Sequence, residues 1–425
     1  MVRPSLGWLK DPARSEAQRH PRGGRADFGL WCALMRKGSR QLGLALLLIL
    51  SAGCGQTTAA TSISPGGSPS STALPSPTPP FAFPVAVGVK CPDLAALGLE
   101  RALLNGTDKN YPEPNDVVLC DARDAAHPRT LKALEGWSAN QTFLRQDLIG
   151  YIVLKGGGPS STSDQFTSVV MTLNLTTGQT TELASSQGIV RAGGWNSDGS
   201  AVAYFTDSRD IYHYWLKRGS APATEFNTPA QVFGRGGIPD DQSLVAFSRD
   251  GQYILVVDTA VNRLQAFRTS DGALLYAAPS GGAGGLRTMA VWAHTADRFY
   301  FRNNSGVYQW DSASGISSFI AGLKWSTPSL TADDRFVAYA VGTSSTPHVE
   351  TRELSSGAVA TFAPWRDMPV FIAARKLLVH EEAACNTCLG INNWTGKTLL
   401  VHTDTHAEAD LGITGWDFGA FWPPA

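Results

Sequence analysis

The 425-residue chain lacks the features that announce most function classes. It has no basic patch or Lys/Arg cluster of the kind a phosphate backbone requires, so nucleic acid is excluded as a partner. No G-x-S-x-G elbow and no H-E-x-x-H pair occurs; "HEEAA" at 380 lacks the second histidine. "GGAGG" (281–285) precedes no helical pattern and so makes no phosphate loop. The "NSDG" and "SRDG" turns lack the S-x-D-x-G-x-x-W form of sialidase boxes, and "SDG" lacks the acidic ladder of a calcium loop. Helical periodicity is scarce too. Its one appearance is "CPDLAALGLERALL", where Pro92, Leu94, Leu97, Arg101 and Leu104 suggest a short helix over about 92–104, interrupted by Gly98.

Long apolar runs are missing as well. Leu42–Leu50 is the greasiest stretch, and nine residues span only about 14 Å as a helix, roughly half a bilayer core. Arg36, Lys37 and Arg40 precede it, and Ser51, Ala52, Gly53 and Cys54 follow. Charge, short apolar core and small-residue exit make a secretory signal peptide. "LSAGC" resembles a bacterial lipobox, which implies cleavage between Gly53 and Cys54 and lipidation (palmitate among the acyl groups) of Cys54. Ser51 departs from the usual aliphatic residue, and plain secretion with Cys54 unmodified is the alternative. Residues 1–34 are Arg-rich and patternless, so Met35 is the expected start and 35–53 the signal peptide. Residues 1–53 hold nine of the basic and three of the acidic residues, which leaves 26 against 33 and a net charge of −7 beyond them.

Cysteine is sparse. With Cys32 and Cys54 set aside, Cys91, Cys120, Cys385 and Cys388 remain, an even number that in an exported chain reads as disulfides. Proximity favours Cys91–Cys120 and Cys385–Cys388, although spacing does not decide connectivity. Residues 54–84 are rich in Ser, Thr, Pro and Gly and nearly without charge. Such a stretch stays disordered and reaches about 30 Å as a coil or about 90 Å extended, a tether between lipid and folded domain.

What is present, from residue 85 onward, is a repeat. "LNLTTGQTTELA" (173–184), "FRTSDGALLYAA" (267–278), "WDSASGISSFIA" (310–321), "RELSSGAVATFA" (352–363) and "NNWTGKTLLVHT" (392–403) share one plan of strand, glycine turn and strand. A weaker copy lies at 214–226. The turn glycines Gly178, Gly219, Gly272, Gly315, Gly357 and Gly396 recur about every 44 residues. Ahead of the better copies stand further strands with their own turns: "WNSDGSAVAYF", "FSRDGQYILVV", "WAHTADRFYF" and "LTADDRFVAYA". Four short strands at this period make a β-propeller blade. Segments 115–134 (an outer hairpin) and 411–422 (inner strands) complete one blade from both chain ends, which predicts an all-β propeller of seven blades, with six or eight as alternatives. The repeat resembles the WD-like repeat of TolB and related periplasmic proteins over residues 130–425. The α/β domain that precedes the TolB propeller has no counterpart here, so TolB's partnerships are not implied.

"CNTCLGINNWTGKTLLVHTDTH" (385–406) has nearly the ligand spacing of a zinc finger. A finger needs its histidines one helical turn apart. Here His402 and His406 follow a strand pattern, which would hold them about 13 Å apart. The expectation is no metal and no cofactor, with Cys385, Cys388, His402 and His406 as the alternative ligand set. A thioredoxin-type role would need Cys385 at a helix start, which the strand pattern denies.

The aspartates Asp198, Asp250 and Asp271 read as turn formers that bond their own backbone. Trp137, Trp195, Trp292 and Trp416 read as fillers between blades. Propeller geometry directs a binding face to the loops joining second to third strands, which hold Asp207, Arg209, Asp210, Asp258, Arg263, Arg302, Asn303, His380 and Glu381. The functional expectation is an exported, lipid-anchored extracytoplasmic protein whose propeller binds or scaffolds a protein or glycan without catalysis. The alternative is a propeller hydrolase or lyase acting on cell-envelope or extracellular glycans, drawing acid and base from Asp207, Asp258, His380 or Glu381.

Overall fold

The computed structural model describes residues 83–106, 116–134, 138–157, 161–231, 244–258, 263–278, 290–342, 346–383, 394–414 and 416–423. The expected signal peptide, Gly53, Cys54, nearly all of the expected tether, Trp137, Cys385 and Cys388 lie outside the described residues.

Seven antiparallel sheets form the blades of a β-propeller. Six are continuous in sequence: blade 1 (138–187), blade 2 (189–231), blade 3 (244–278), blade 4 (290–321), blade 5 (326–364) and blade 6 (366–410). The seventh is composite, in the order Trp416–Trp422, Arg101–Gly106, Val117–Asp121, Arg129–Thr130. Within each blade the strands pair first to second to third to fourth. The fourth is the most exposed, as Leu274–Ala278 and Glu408–Asp410 illustrate.

Burial explains why the blades stack. In blade 3, Ile254 and Val256 pack toward blade 2 while Leu255 and Val257 pack toward blade 4, all within 1% of complete burial. A strand buried on both faces reads as an unbroken apolar run, and "YILVVD" is one. Every junction has its own apolar cluster. Phe143 and Tyr151 meet Leu103 and Leu119 between blades 1 and 7. Ile372, Leu378 and Leu400 meet Leu94, Leu97 and Leu104 between blades 6 and 7. The ring is therefore closed by hydrophobic contact on both sides of the composite blade.

That blade closes differently from the sequence expectation. The C-terminal segment supplies one strand, not two, and the N-terminal segment supplies three. The expected helix over 92–104 is a single turn, Leu94–Leu97, capped at its start by Asp93, which accepts from the Ala96 N–H at 3.0 Å. Gly98 ends it in the left-handed region at φ 83°, where glycine meets no Cβ penalty. Beyond it Ala102, Leu103 and Leu104 are all fully buried, which a strand between two neighbours achieves and an amphipathic helix does not. Arg101 and Leu104 belong to this second strand. Cys91 and Cys120 form a disulfide across 29 residues, Cα to Cα 5.7 Å, tying the helical turn to the third strand. Outside the fourth strand, Val85 bridges Arg129, and Thr130 N–H donates to Pro84 at 2.9 Å. The polypeptide thus enters the propeller at the outer edge of the composite blade.

Blade 6 corrects a second expectation. Gly396 is not a turn residue but lies within the third strand, Trp394–His402. The turn comes later. His406 N–H donates to His402 O at 2.8 Å, as Gly178, Gly272 and Gly357 do to Asn174, Arg268 and Glu353 in their blades. His406 occupies the glycine's left-handed position at φ 57°.

Candidate binding face

Antiparallel pairing places first-to-second and third-to-fourth turns at one end of every blade, and second-to-third loops at the other. At the turn end, Asp198, Asp250 and Asp271 accept from the backbone N–H groups of Ser200, Gln252 and Ala273, at 2.8, 3.0 and 3.0 Å. Ser200 and Asn196 hold the Asp198 carboxyl below the usual carboxylate range. These turns are also linked from blade to blade. Ser197 donates to Arg249 O, Arg249 to His294 O, and Asp334 accepts from the N–H groups of His294 and Thr295 at 2.7 Å each. Trp292 packs in the cluster between blades 3 and 4 and donates to Ala246 O at 3.0 Å. Trp195 joins the cluster between blades 1 and 2, and Trp416 the one between 6 and 7.

At the loop end the expected residues fall into four groups, each at its own junction. Asp207, at the end of strand Ala201–Ser208, is 6% exposed and accepts from Arg191 at 2.5 Å. Arg191 stands in a bulge of the first strand of the same blade. Arg209 and Asp210 make the turn with φ of 51° and 62°. Asp210 N–H bonds Asp207 at 3.1 Å, and Arg209 reaches Asp164 of blade 1 at 2.6 Å. Between blades 2 and 3, Asp258 is fully buried and accepts from the Tyr214 hydroxyl at 2.7 Å. Burial first, then the Asp258 charge, pushes the Tyr214 phenol far above its ordinary value. Arg263 pairs in register with Asp258 and donates to Thr228 O at 3.4 Å.

Between blades 4 and 5, Arg302 donates to Trp325 O at 2.9 Å, and Asn303 accepts from Ser305 N–H at 2.7 Å. Between blades 6 and 7, His380 Nε2 lies 2.9 Å from Asp417 Oδ1. Glu381 accepts from Thr395 at 3.0 Å and lies 3.5 Å from Lys397 and 3.8 Å from Arg366, which also pairs with Glu408 at 2.7 Å. The partners Arg191, Asp417 and Arg366 escaped the sequence reading because they stand on first strands and it looked only at second-to-third loops; Asp164 escaped because the second-to-third loop of blade 1 was not among those it drew on. An isolated charge inside an apolar strand, as in "GIVRAGGW", is the signal that would have found Arg191.

His402 and His406 flank a tight turn instead of lying along a strand, so the 13 Å separation expected above does not hold. His406 stacks on Phe362, ring centroids 4.7 Å apart. Among the described residues no group of three or more His, Cys, Asp and Glu side chains could hold a metal ion. A cavity of about 510 Å³ opens between blades 5 and 6 at the turn end. Phe336 and Phe371 line it, together with the pairs Arg335–Glu353 (2.9 Å) and Arg375–Asp404 (3.2 Å).

No family model matches this chain, and no curated protein matches it in sequence. Among solved structures it is similar to TolB from Acinetobacter baumannii, at 14% identity over 77% of this chain and 69% of that one, TM-score 0.43. It is similar also to the periplasmic gluconolactonase PpgL of Pseudomonas aeruginosa, at 14% identity over 75% and 99%, TM-score 0.47. The C-terminal WD40 domain of Sif2 matches at 11% identity over 64% and 71%, TM-score 0.42. The likeness is one of fold: TolB and WD40 proteins are β-propellers, as this chain is.

Proposed function

We propose that this chain is an exported lipoprotein, anchored to the cell envelope through Cys54, whose propeller is a non-catalytic binding or scaffolding module for a protein or glycan. The observation that carries the binding role is the prior engagement of the loop-end polar groups. Asp207 is paired to Arg191, Asp258 to Tyr214, and His380 to Asp417. Groups fixed in this way hold the loops in place, and a preorganised face loses little freedom on binding.

The test is metabolic palmitate labelling with membrane fractionation of the full chain and of Cys54→Ser. Labelling and membrane retention lost in the variant are the expected result. Equal labelling in both would end the lipoprotein reading. A glycan screen with product analysis tests the module itself; a glycan consumed at catalytic rates would displace the non-catalytic reading.

One observation favours a second reading, a hydrolase or lyase acting on glycans. The His380 imidazole is oriented by Asp417, at 2.9 Å from its Nε2, an arrangement suited to a general base. Turnover abolished by His380→Ala would select it.

A further inference from the structure

The first-to-second turns of blades 2 to 5 share one length. Six residues separate the partners in each closing pair, Trp195–Val202, Phe247–Ile254, Trp292–Phe299 and Leu330–Val337. In blade 6 only five separate Phe371 from Leu377, and Ala373 pairs with Lys376 across Ala374 and Arg375. The bonds that pass from turn to turn run from blade 2 to blade 5 by way of Ser197, Arg249 and Asp334. Blade 1 also has the short turn, Arg145 pairing with Leu148, but its Gln146 donates to Glu100 beside the second strand of blade 7. On the far side of blade 6, Lys376 donates to Ala96 O. Blades 5 and 6 are the exception. Phe362 and His406 stack across their junction, but among the described residues no hydrogen bond or ion pair joins their turns.

There the cavity of about 510 Å³ opens, within the range of about 300–1,000 Å³ that holds small ligands. Its lining is apolar at Phe336, at the nearly buried Phe371 and at the exposed Val359. Each wall has its own ion pair, Arg335 with Glu353 from blade 5 and Arg375 with Asp404 from blade 6. Arg335 is engaged twice, because its guanidinium also lies 5.1 Å over the Phe336 ring. The fifth charge of the lining is Asp333. Its Oδ1 accepts from the Thr331 hydroxyl at 2.6 Å and from Arg335 N–H at 3.0 Å, and among the described residues no ion pair includes it. The Thr331 hydroxyl holds the Asp333 carboxyl below its ordinary value, so it is ionised at neutral pH. Two matched pairs and one negative charge over make up the charged part of the lining.

We propose that this cavity binds a small organic monocation, an ammonium group on an apolar body, with Asp333 as its counter-charge and Phe336, Phe371 and Val359 as its apolar seat. The site lies at the opposite end of the blades from the loop-end face and does not rest on the role argued for that face. The apolar body gains by leaving water for a cavity lined by phenylalanine. The ammonium gains a charge-assisted hydrogen bond to the carboxylate. An anion finds each guanidinium already paired and meets the Asp333 charge, which repels it.

The test is isothermal titration of the full-length protein with phenethylammonium. Neutral 2-phenylethanol, anionic 3-phenylpropionate and ethylammonium, which keeps the charge without the ring, are titrated beside it. Phenethylammonium should saturate in roughly the millimolar range open to a ligand of its size. The alcohol should bind about threefold to fivefold more weakly, and the anion and ethylammonium at least about tenfold more weakly. Asp333→Asn keeps the turn's acceptor and removes the charge. It should weaken phenethylammonium to about the level of the alcohol and leave the alcohol unchanged, a split that structural damage would not produce. Ala358→Trp, at an exposed position of the lining, should obstruct the cavity and weaken both ligands at least about tenfold. The proposal is overturned if phenethylammonium does not saturate, or if the alcohol, the anion or ethylammonium binds as tightly. It is overturned equally if Asp333→Asn, or an Ala358→Trp protein with parental melting behaviour, binds like the parent. Should Ala358→Trp fail to fold, Asp333→Asn decides the matter. Neither the Cys54 labelling nor the glycan screen bears on these outcomes, so the proposals fail separately.

Discussion

The two ends of the blades are built by different rules. At the turn end one short-range device is repeated: an Asp two residues before the N–H group it accepts from, and a left-handed residue that reverses the chain. At the loop end the four groups described above differ from one another, and two of their pairings join strands of neighbouring blades. Tyr214 and Asp258 are 44 residues apart, and His380 and Asp417 are 37 apart. Repetition makes a frame, while unlike pairings in equivalent places make a surface that can discriminate. The lesson is that the loop end is where this ring stops being symmetric.

The sharpest way to break this comparison is at Asp258. Asp258→Ala leaves the Tyr214 hydroxyl buried without its acceptor and should cost about 3 kcal/mol in denaturant unfolding. A loss under about 1 kcal/mol would mean that the loop-end pairings are incidental. At the turn end, Asp334→Ala removes the acceptor for two backbone N–H groups of blade 4 and should cost about 2 kcal/mol. If that variant proves costlier than Asp258→Ala, the ranking of the two ends is inverted.

His406→Gly places glycine where the other blades have it. The variant should raise stability by about 0.5–1 kcal/mol, since a non-glycine residue is disfavoured there, less whatever the Phe362 stacking contributes. A clear loss would assign the position to that stacking contact. The smallest effect is one of pH. Burial holds His294 below its ordinary value of 6.5, and the Asp334 charge opposes it only in part. The unfolded chain therefore takes up a proton near pH 6.5 that the folded chain refuses until lower pH. Stability should fall as pH drops from 6.5 toward the folded value and be unaffected above it. A His294→Gln protein should have a flatter pH–stability curve over that window; an unchanged slope would remove His294 as its source.

Much of the turn end was legible in advance because its information is local. "NSDG", "SRDG" and the glycine turns carry their geometry within five residues, and the propeller follows from their period. Legibility failed where a local signal was ambiguous. Gly396 looks like the other turn glycines, yet Trp394–His402 runs through it, and the turn uses "TDTH" with a histidine in the glycine position. Helical spacing in 92–104 was outweighed by two neighbouring blades that bury Ala102, Leu103 and Leu104 on both faces. At the candidate site, the loop residues were identifiable by position, but Arg191, Tyr214 and Asp417 were not, because strand residues reveal their partners only once blades are adjacent.

Composition and period by themselves determined that this chain makes four-stranded units that cannot bury their own faces, and that they number seven if the two ends combine. Hydrophobic periodicity acts over a few residues and is written in order along the chain. How the ends divide the last blade and which charges meet across junctions were decided only by tertiary structure. Those outcomes depend on burial between segments far apart in sequence, and no local pattern encodes which surfaces will share it.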